Sequence, residues 1–317
     1  RMAANALKEL FEKHLVSDLP VPKTLIEIDS KSSLIDGFEA LISNKIQSAP
    51  VYDAATHTYI GFLDVRDLVS FVRFVYDEQK VVDNNTLKDI VLHGVHMFKA
   101  PTTDGVTVSY LARRNKFSPL NPKATLYAAV ELLSRGLHRV PILSEEGKLI
   151  NIVSQSSIIA FLDHHMKDFE TVSKATIESI HIGTHPVQAV AQTASVIDTL
   201  RLMDSKGLSG VAITGSHGRL VGITTGKDLG LFIRNPSLST LQSPVFQFLA
   251  EIRDQTIDIR VPTIAVFPTD TLSRAIGVLA ATKVHRVFLV DSEANYKPIA
   301  AISITDILRH LFKLASS

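Results

Sequence analysis

A unit that recurs four times along the 317 residues constrains the fold of this chain more than any other feature. Each copy has an amphipathic helix, a short strand, a turn, a second strand that ends in a small residue, and a helix opened by a polar residue. The first helices begin near Ser33, Thr125, Ser195 and Thr271, the first strands near Ser48, His138, Ser209 and His285, and the second strands near Gly61, Asn151, Gly222 and Ala300. Because a missed repeat leads to a wrong fold, the repetition guides every later inference.

The spacing inside the unit is nearly constant. The residues Ser48, Arg139, Gly210 and Arg286 precede the final polar position of their repeats by 19, 18, 18 and 20 residues. Apolar residues recur with a helical period, as at Leu34, Phe38 and Leu41, and the strands are almost continuously apolar, as from Val140 to Leu143. Strands alternating with helices in this way predict an α/β fold of four repeats.

Three further segments lie outside the repeats. Apolar spacing predicts an N-terminal helix over Ala6–Leu15, which Pro20 and Pro22 stop. An insert over 77–116 contains a predicted helix at Leu87–Val95 and a loop at Pro101–Gly105. A polar stretch over 163–180 is predicted to be a helix linking two halves. The predicted boundaries are therefore an N-terminal segment over 1–22, a first pair of repeats over 23–165 and a second pair over 166–317.

Composition excludes several classes of protein. Hydrophobic residues make up 45% and charged residues 21%, as in a compact globular protein. The absence of cysteine excludes a disulfide framework, a thiolate metal site and cysteine catalysis. A net charge of +1 without a basic stripe argues against nucleic-acid binding. We find no membrane-spanning apolar run and no signal-peptide pattern, so we expect a cytoplasmic or nuclear protein without a membrane partner.

Motifs of catalysis are not found. The string T-T-G-K-D from Thr224 resembles the end of a phosphate loop, but position 221 is Val and Lys227 is followed by Asp228. His164 and His165 are adjacent and would point to different faces of a helix, which favours a solvated linker over a metal site. We predict that the chain is not an enzyme and uses neither a metal nor a catalytic cofactor.

The four units resemble CBS repeats, the cystathionine-β-synthase type module, of which a pair forms a Bateman module. The resemblance covers residues 10 to 314, and several strings are similar to the γ regulatory subunit of AMP-activated protein kinase. These strings are F-E-K-H from Phe11, K-I-Q-S-A-P-V-Y-D from Lys45, L-H-R-V-P-I-L from Leu137, I-G-T from Ile182, V-H-R-V-F-L-V-D from Val284 and S-I-T-D-I-L from Ser303. The resemblance implies two Bateman modules packed into a disc, with an N-terminal helix.

In the resembled family an Asp at the start of the last helix of a repeat holds the ribose hydroxyls of an adenosine phosphate. An ionised carboxylate suits this role because it accepts two hydrogen bonds. That position is Asp67, Ser157, Asp228 and Asp306 here, so three repeats are competent and the second is defective, as in γ subunits. The alternative for each Asp is a helix cap, and the two roles can coexist.

The family usually has Ser or Thr three residues before that Asp, in contact with ribose or phosphate. Ser154, Thr225 and Ser303 fit this pattern, and Thr305 is a further candidate donor. Asp64 departs from it, and its charge would repel a phosphate. We therefore expect nucleotide binding at fewer than three repeats, or weaker discrimination among phosphates.

Two basic pairs, His138-Arg139 and His285-Arg286, match the pairs that reach phosphates in the family. The alternative is a solvated strand start. By analogy with γ subunits, His138-Arg139 would serve Ser303 and Asp306, and His285-Arg286 would serve Asp228. Repeats 1 and 3 have neutral residues instead.

The resemblance also places Thr184 and, by repeat position, Thr263 at the edge of the adenine slot. The alternative for both is a strand-edge hydroxyl bonded to the backbone.

Together these features predict a regulatory subunit that binds AMP, ADP or ATP between paired repeats and assembles with kinase catalytic and scaffold subunits. Two alternatives stay open. One is a stand-alone CBS protein that regulates another target, such as a phosphatase. The other is a scaffold whose nucleotide clefts are vestigial.

Overall fold

The structure, a computed structural model, describes residues 2–78, 81, 83–93, 107–255 and 264–317. Its strands are short and, in chain order, are β1 (Ile28–Asp29), β2 (Ser48–Asp53), β3 (Thr58–Asp64), β4 (Arg139–Leu143), β5 (Leu149–Ser154), β6 (Ala189–Ala191), β7 (Gly210–Thr214), β8 (Leu220–Thr225), β9 (Ala265–Val266), β10 (Arg286–Val290) and β11 (Pro298–Ser303).

Helices connect and cover these strands. They are α1 (Met2–Lys13), α2 (Leu34–Ser43), α3 (Val65–Glu78), α4 (Asn84–His93), α5 (Val108–Ala112), α6 (Leu126–Ser134), α7 (Gln155–His165), α8 (Glu170–Ser173), α9 (Ile177–Ile180), α10 (Val196–Ser205), α11 (Gly230–Arg234), α12 (Leu238–Gln242), α13 (Val245–Gln255), α14 (Leu272–Thr282) and α15 (Ile304–Ala315). Short 3₁₀ turns occupy Val16–Asp18, Met166–Asp168, Ser216–Gly218 and Gly226–Leu229.

The four repeats share one hairpin geometry. The strand pairs β2–β3, β4–β5, β7–β8 and β10–β11 are antiparallel, and each has a register shift between the fourth and fifth residues of its first strand. Each first helix starts at a Ser or Thr whose hydroxyl accepts a backbone N–H of the first turn; these caps are Ser33, Thr125, Ser195 and Thr271. The predicted α/β fold with four repeats is confirmed.

By backbone contacts the chain divides into two compact units. The even unit comprises Arg1–Leu25, Ser118–Val187 and Ile264–Ser317, and contains repeats 2 and 4. Within it α7 packs on α14, α6 packs on α15, and α1 contacts both α6 and α15. One hydrophobic core, with Phe11, Leu133, Ile158 and Leu311 fully buried, joins these elements.

The odd unit comprises Ile26–Phe117 and Gln188–Thr263, and contains repeats 1 and 3. Within it α3 packs on α10, and α11 contacts α2. Its own core is centred on residues such as Phe38, Leu68 and Met203. The predicted modules over 23–165 and 166–317 pair consecutive repeats, which belong to different units, so this pairing stays a prediction.

The segments outside the repeats follow the predictions in part. The N-terminal helix is present as α1, and the helix predicted at Leu87–Val95 corresponds to α4, whereas the loop predicted at Pro101–Gly105 lies outside the described residues. The single linking helix over 163–180 was wrong. Phe169 has φ −121° and ψ 60°, outside the helical region, so the stretch breaks into the end of α7, a 3₁₀ turn, α8 and α9. In the part of the chain that the structure describes, no helix has the length and apolar character of a membrane span.

Candidate functional site

The predicted site residues of each repeat meet where its second strand leads into a helix. Strand register places Arg286 opposite Ser303 and Arg139 opposite Ser154. The residue after each Ser forms a further backbone hydrogen bond across the hairpin. Ile304 donates its N–H to the His285 carbonyl at 3.0 Å, and Gln155 donates its N–H to the His138 carbonyl at 3.1 Å. Repeats 1 and 3 have the same two contacts, in which Ser48 lies opposite Asp64 and Gly210 opposite Thr225. Each basic pair therefore adjoins the helix start of its own repeat.

In repeat 4, Asp306 lies in the first turn of α15 and caps it. Its Oδ2 accepts the Ser303 N–H at 2.9 Å and the Ser303 hydroxyl at 2.6 Å, while the Ser303 Oγ accepts the Asp306 N–H at 3.2 Å. Its Oδ1 lies 3.5 Å from Nη1 of Arg309, whose side chain is 61% exposed. One carboxylate oxygen thus holds the cap and the other faces a solvent-exposed cation.

In repeat 3, Asp228 makes the same cap at the 3₁₀ turn Gly226–Leu229. Its Oδ2 accepts the Thr225 N–H at 2.6 Å and lies 3.2 Å and 3.4 Å from the hydroxyls of Thr224 and Thr225. Repeat 2 has the cap without the charge, because the Ser157 hydroxyl accepts the Ser154 N–H at 2.8 Å. The capping alternative is therefore present in both repeats, and a carboxylate is absent only from repeat 2 among the four equivalent positions.

In repeat 1, Asp67 is buried, with a relative exposure of 3%. Its Oδ2 accepts the Asp64 N–H at 2.9 Å and the Asn115 side-chain N–H at 2.8 Å, and its Oδ1 lies 3.9 Å from Nη1 of Arg114. Desolvation by burial raises the pKa of Asp67 to about 6, and the nearby Asp64 carboxylate adds to the rise. Asp64 itself accepts the backbone N–H and the Nε–H of Arg66. Repeat 1 therefore differs from the other repeats both in having Asp64 in place of Ser or Thr and in the contacts that Asn115 and Arg114 make with Asp67.

Thr184 lies beside the second strand of repeat 4. Its N–H donates to the Ala301 carbonyl at 2.8 Å, and its carbonyl accepts the Ala301 N–H at 3.2 Å. Thr184 therefore has the backbone pairing of a strand-edge residue. Its partner, Ala301, lies two residues before Ser303 on the second strand of repeat 4. Thr263 lies outside the described residues.

A side-chain contact connects the junctions of repeats 2 and 4 within the even unit. The Gln155 side-chain N–H donates to the Thr305 hydroxyl at 2.8 Å. The Gln155 N–H donates to the His138 carbonyl, and Thr305 precedes Asp306. The contact therefore links the helix start that carries Asp306 to the helix start that adjoins the His138-Arg139 pair. The other predicted combination, Asp228 with His285-Arg286, involves residues of different units and stays a prediction.

The chemistry available at these junctions is hydrogen bonding to hydroxyls and anions. Among the described residues no group of three or more His, Asp or Glu side chains could hold a metal ion. The sequence did not identify Asn115, Arg114 or Gln155 as site residues. Asn115 and Arg114 lie in the insert outside the repeat pattern, and Gln155 is a neutral residue that matches no motif.

Comparison with known proteins identifies the repeats. The CBS domain profile matches residues 113–164, 178–233 and 256–313, just over half of the chain. The chain therefore belongs to the CBS-domain family, and the first repeat has the same strand–helix geometry as the three that are matched.

Several relatives within this family align over most of the chain. The γ subunit of 5′-AMP-activated protein kinase from Dictyostelium discoideum is 27% identical over 92% of this chain, which covers 50% of that relative. Protein SDS23 from Kluyveromyces lactis is also 27% identical over 92% of the chain, and 61% of it is covered. The chain thus spans between half and two thirds of these relatives. The γ subunit of the same kinase from K. lactis is 22% identical, and the alignment covers 98% of this chain and 92% of that relative. The predicted resemblance to γ subunits is confirmed.

A solved structure supports the same fold. A protein from the archaeon Methanocaldococcus jannaschii superposes with a TM-score of 0.65 at 16% identity, covering 93% of this chain and 99% of that one. At this identity the similarity concerns the fold alone.

Proposed function

We propose that this chain is a regulatory CBS protein that binds adenine nucleotides and that the repeat 4 junction is its principal ribose and phosphate site. The observation that carries the proposal is the linked arrangement in the even unit. The half-buried carboxylate of Asp306 caps Ser303, and the strand that ends at Ser303 pairs with Arg286 and with Thr184. Thr305, next to Asp306, is linked through Gln155 to the junction of His138-Arg139.

The hydrogen-bond inventory of this junction suits a nucleoside phosphate. The cap uses Oδ2 of Asp306, so Oδ1 can accept ribose hydroxyls after Arg309, which is mostly exposed, swings aside. Thr305 accepts a hydrogen bond from Gln155, so its own O–H can donate to a phosphate oxygen. Arginine offers a planar fork of donors that matches phosphate, and Arg286 and Arg139 are both half-buried at these junctions.

The regulatory part of the proposal rests on the relatives. Two of them are named as γ subunits of a 5′-AMP-activated protein kinase, and one aligns over 92% of its own length. In such a role AMP, ADP and ATP compete for the same clefts. Each nucleotide then shifts the protein, together with kinase catalytic and scaffold subunits, by its difference in affinity for two states. Regulation without catalysis is part of this proposal.

The test uses a substitution that keeps the helix cap. Asp306→Ser copies the cap that Ser157 makes in repeat 2, so α15 retains its N-terminal acceptor while the ribose carboxylate is lost. Calorimetry and thermal-shift titration with AMP, ADP and ATP should show saturable binding to the wild type and a loss of at least one binding event in the variant. The matched control is Ser157→Ala, which removes a cap and leaves every carboxylate in place.

The outcomes separate the proposal from its rivals. Equal binding by wild type and Asp306→Ser would remove Asp306 from the site. Absence of heat and thermal shift with all three nucleotides would favour a scaffold with vestigial clefts. Weakened binding in Ser157→Ala as well would indicate that helix-cap stability, and not ribose recognition, controls binding.

The second candidate is a CBS protein that binds nucleotides but regulates another target, such as a phosphatase. It is favoured by the equal similarity to SDS23, at 27% identity over 92% of the chain. Affinity purification of the tagged chain from its source cells distinguishes the two. Recovery of a kinase catalytic subunit supports the kinase role, and its consistent absence together with recovery of another regulated enzyme supports the second candidate.

A further inference from the structure

Asn115 occupies in repeat 1 the place that Thr184 occupies in repeat 4. The backbone of Thr184 pairs with Ala301, two residues before Ser303, and the Asn115 carbonyl accepts the N–H of Phe62 at 3.0 Å, two residues before Asp64. Since Asp64 and Ser303 are equivalent in strand register, Asn115 and Thr184 border equivalent junctions. Each residue also precedes the first-helix cap of the following repeat by a similar distance, since Asn115 lies 10 residues before Thr125 and Thr184 lies 11 residues before Ser195.

The Asn115 amide compensates for what Asp64 lacks. In repeat 4 the Ser303 hydroxyl donates to Oδ2 of Asp306, but Asp64 has no hydroxyl to give to Asp67. The Asn115 Nδ2 supplies that donor at 2.8 Å, and it donates to the Phe62 carbonyl at 2.9 Å as well. A side-chain amide has two N–H groups, and both are used in these two hydrogen bonds. They hold the Asn115 amide in contact with the Asp67 carboxylate.

The close approach of this segment is built into the strand. A Cβ at Gly61 would lie 2.0 Å from the Ala112 carbonyl oxygen and 2.7 Å from that of Asn115, so only glycine lets the segment lie against β3. From the same segment, Nη1 of Arg114 lies 3.9 Å from Oδ1 of Asp67, and the Arg114 side chain is 55% exposed. The cavity beside Asp67 has a volume of about 150 Å³, smaller than the roughly 300–1,000 Å³ of ordinary ligand pockets.

We propose that Asn115, bonded to Oδ2 of Asp67, holds in place the segment that buries this carboxylate and thereby decides that repeat 1 does not bind nucleotide. This inference rests on the proposed function for the identity of the ligand. Asn115 is then the residue that sets how many nucleotide clefts the chain offers, and Thr at the equivalent place leaves the repeat 4 cleft open.

The experiment converts repeat 1 to the pattern of repeat 4 in the full chain. The double variant Asp64→Ser with Asn115→Thr installs the cap hydroxyl and the short side chain that Ser303 and Thr184 provide. Calorimetric titration with AMP should show one more nucleotide bound per chain than in the wild type. Asp64→Ser alone retains the Asn115 amide and should leave the number of bound nucleotides unchanged.

A second readout does not depend on nucleotide. Carbodiimide coupling of a small amine to carboxyl groups, followed by peptide mass spectrometry, reports the access to Asp67. Labelling of Asp67 should increase in Asn115→Thr, with Asp306 as an internal reference. The reverse change, Thr184→Asn, should lower labelling of Asp306 and remove a bound nucleotide, which keeps the inference testable if the repeat 1 variants do not fold.

The two proposals fail in distinguishable ways. If neither the wild type nor the double variant binds AMP while Asp67 labelling increases in Asn115→Thr, the proposed function is wrong and the role of Asn115 stands. If the wild type binds AMP but the double variant binds no more, or if Asp67 labelling does not change, the role of Asn115 is overturned and the proposed function stands.

Discussion

The side chain of Gln155 reaches from the helix start of repeat 2 to that of repeat 4 and donates a 2.8 Å hydrogen bond to the Thr305 hydroxyl. The same Nε2 lies 3.3 Å and 3.1 Å from the carbonyl oxygens of Leu133 and Leu137. Gln155 is only 2% exposed, so its amide connects three buried or half-buried acceptors of the even unit.

Gln155→Ala is expected to lower the free energy of unfolding by about 1–3 kcal/mol. The substitution removes the side-chain donor of the Leu137 carbonyl, and an unsatisfied buried acceptor costs about this much, whereas the Leu133 carbonyl keeps the Gly136 N–H. Urea denaturation followed by circular dichroism measures the change. The matched control is Gln242→Ala, because the Gln242 amide donates to the Tyr76 hydroxyl at an exposed site. An equal loss in both variants would contradict a specific role for the buried amide.

The register of the repeats explains why much of the fold could be predicted from sequence. The nearly constant spacing between Arg286 and Asp306, and between their counterparts, reflects a hairpin whose strand ends are opposite each other. Local patterns of this kind determine helix caps and strand pairs, so the positions of Ser303 and Asp306 at a helix start were predictable. What they bind is not a local property, and the cap and ribose roles use the same residue types.

The role of Asn115 could not be predicted in this way. It lies in an insert without periodic pattern, and its contact with Asp67 crosses 48 residues of sequence. Its position 10 residues before the Thr125 cap is close to that of Thr184 before Ser195, but only the folded structure shows that its amide reaches Asp67. The break of the predicted linking helix at Phe169 has a similar origin, because helical composition over 163–180 does not reveal the non-helical φ and ψ that end each short segment.

Stability should rise as the pH falls from 7 towards 5 because of Asp67. Its folded-state pKa of about 6 exceeds the ordinary 3.8, so the folded state binds the proton more tightly than the unfolded state. The stabilisation is complete below pH 4 and is lost as the pH rises through 6. A difference of this size corresponds to at most about 3 kcal/mol. Thermal unfolding at a series of pH values measures it.

Asp67→Asn is the control for that pH dependence. The amide resembles the protonated carboxyl in shape and does not titrate, so the variant should have a flatter stability profile between pH 5 and 7. Other carboxylates, such as Asp198 and Asp291, have lowered pKa values, and their contributions are lost only at more acidic pH. A variant with the slope of the wild type in this window would show that another group titrates there.

An ion-pair contact between α3 and α10 should stabilise the odd unit. Asp204 accepts the Arg73 Nε–H at 3.0 Å and the Ser70 hydroxyl at 2.5 Å, and its side chain is 19% exposed. Asp204→Ala should cost about 1–3 kcal/mol because a charge-assisted pair is broken at a partly buried site. Glu170→Ala, which breaks the exposed pair with Lys174, should cost less than about 0.5 kcal/mol. Urea midpoints of the two variants test the difference, and equal midpoints would contradict it.

Gly61→Ala should destabilise the protein by about 1–3 kcal/mol, as expected for a methyl group forced into occupied space. The new Cβ would lie 2.0 Å from a backbone oxygen of Ala112, which cannot rotate away, so the segment that carries Asn115 must shift. Gly222 holds the equivalent place in repeat 3, where, among the described residues, a Cβ meets only the Ile213 side chain at 3.6 Å, an ordinary contact. Gly222→Ala should therefore be nearly neutral in thermal unfolding. The shift of the segment should withdraw Asn115 from Asp67, so Gly61→Ala should also increase carbodiimide labelling of Asp67. Unchanged labelling in a destabilised variant would show that the contact between the Asn115 amide and Asp67 survives the displacement.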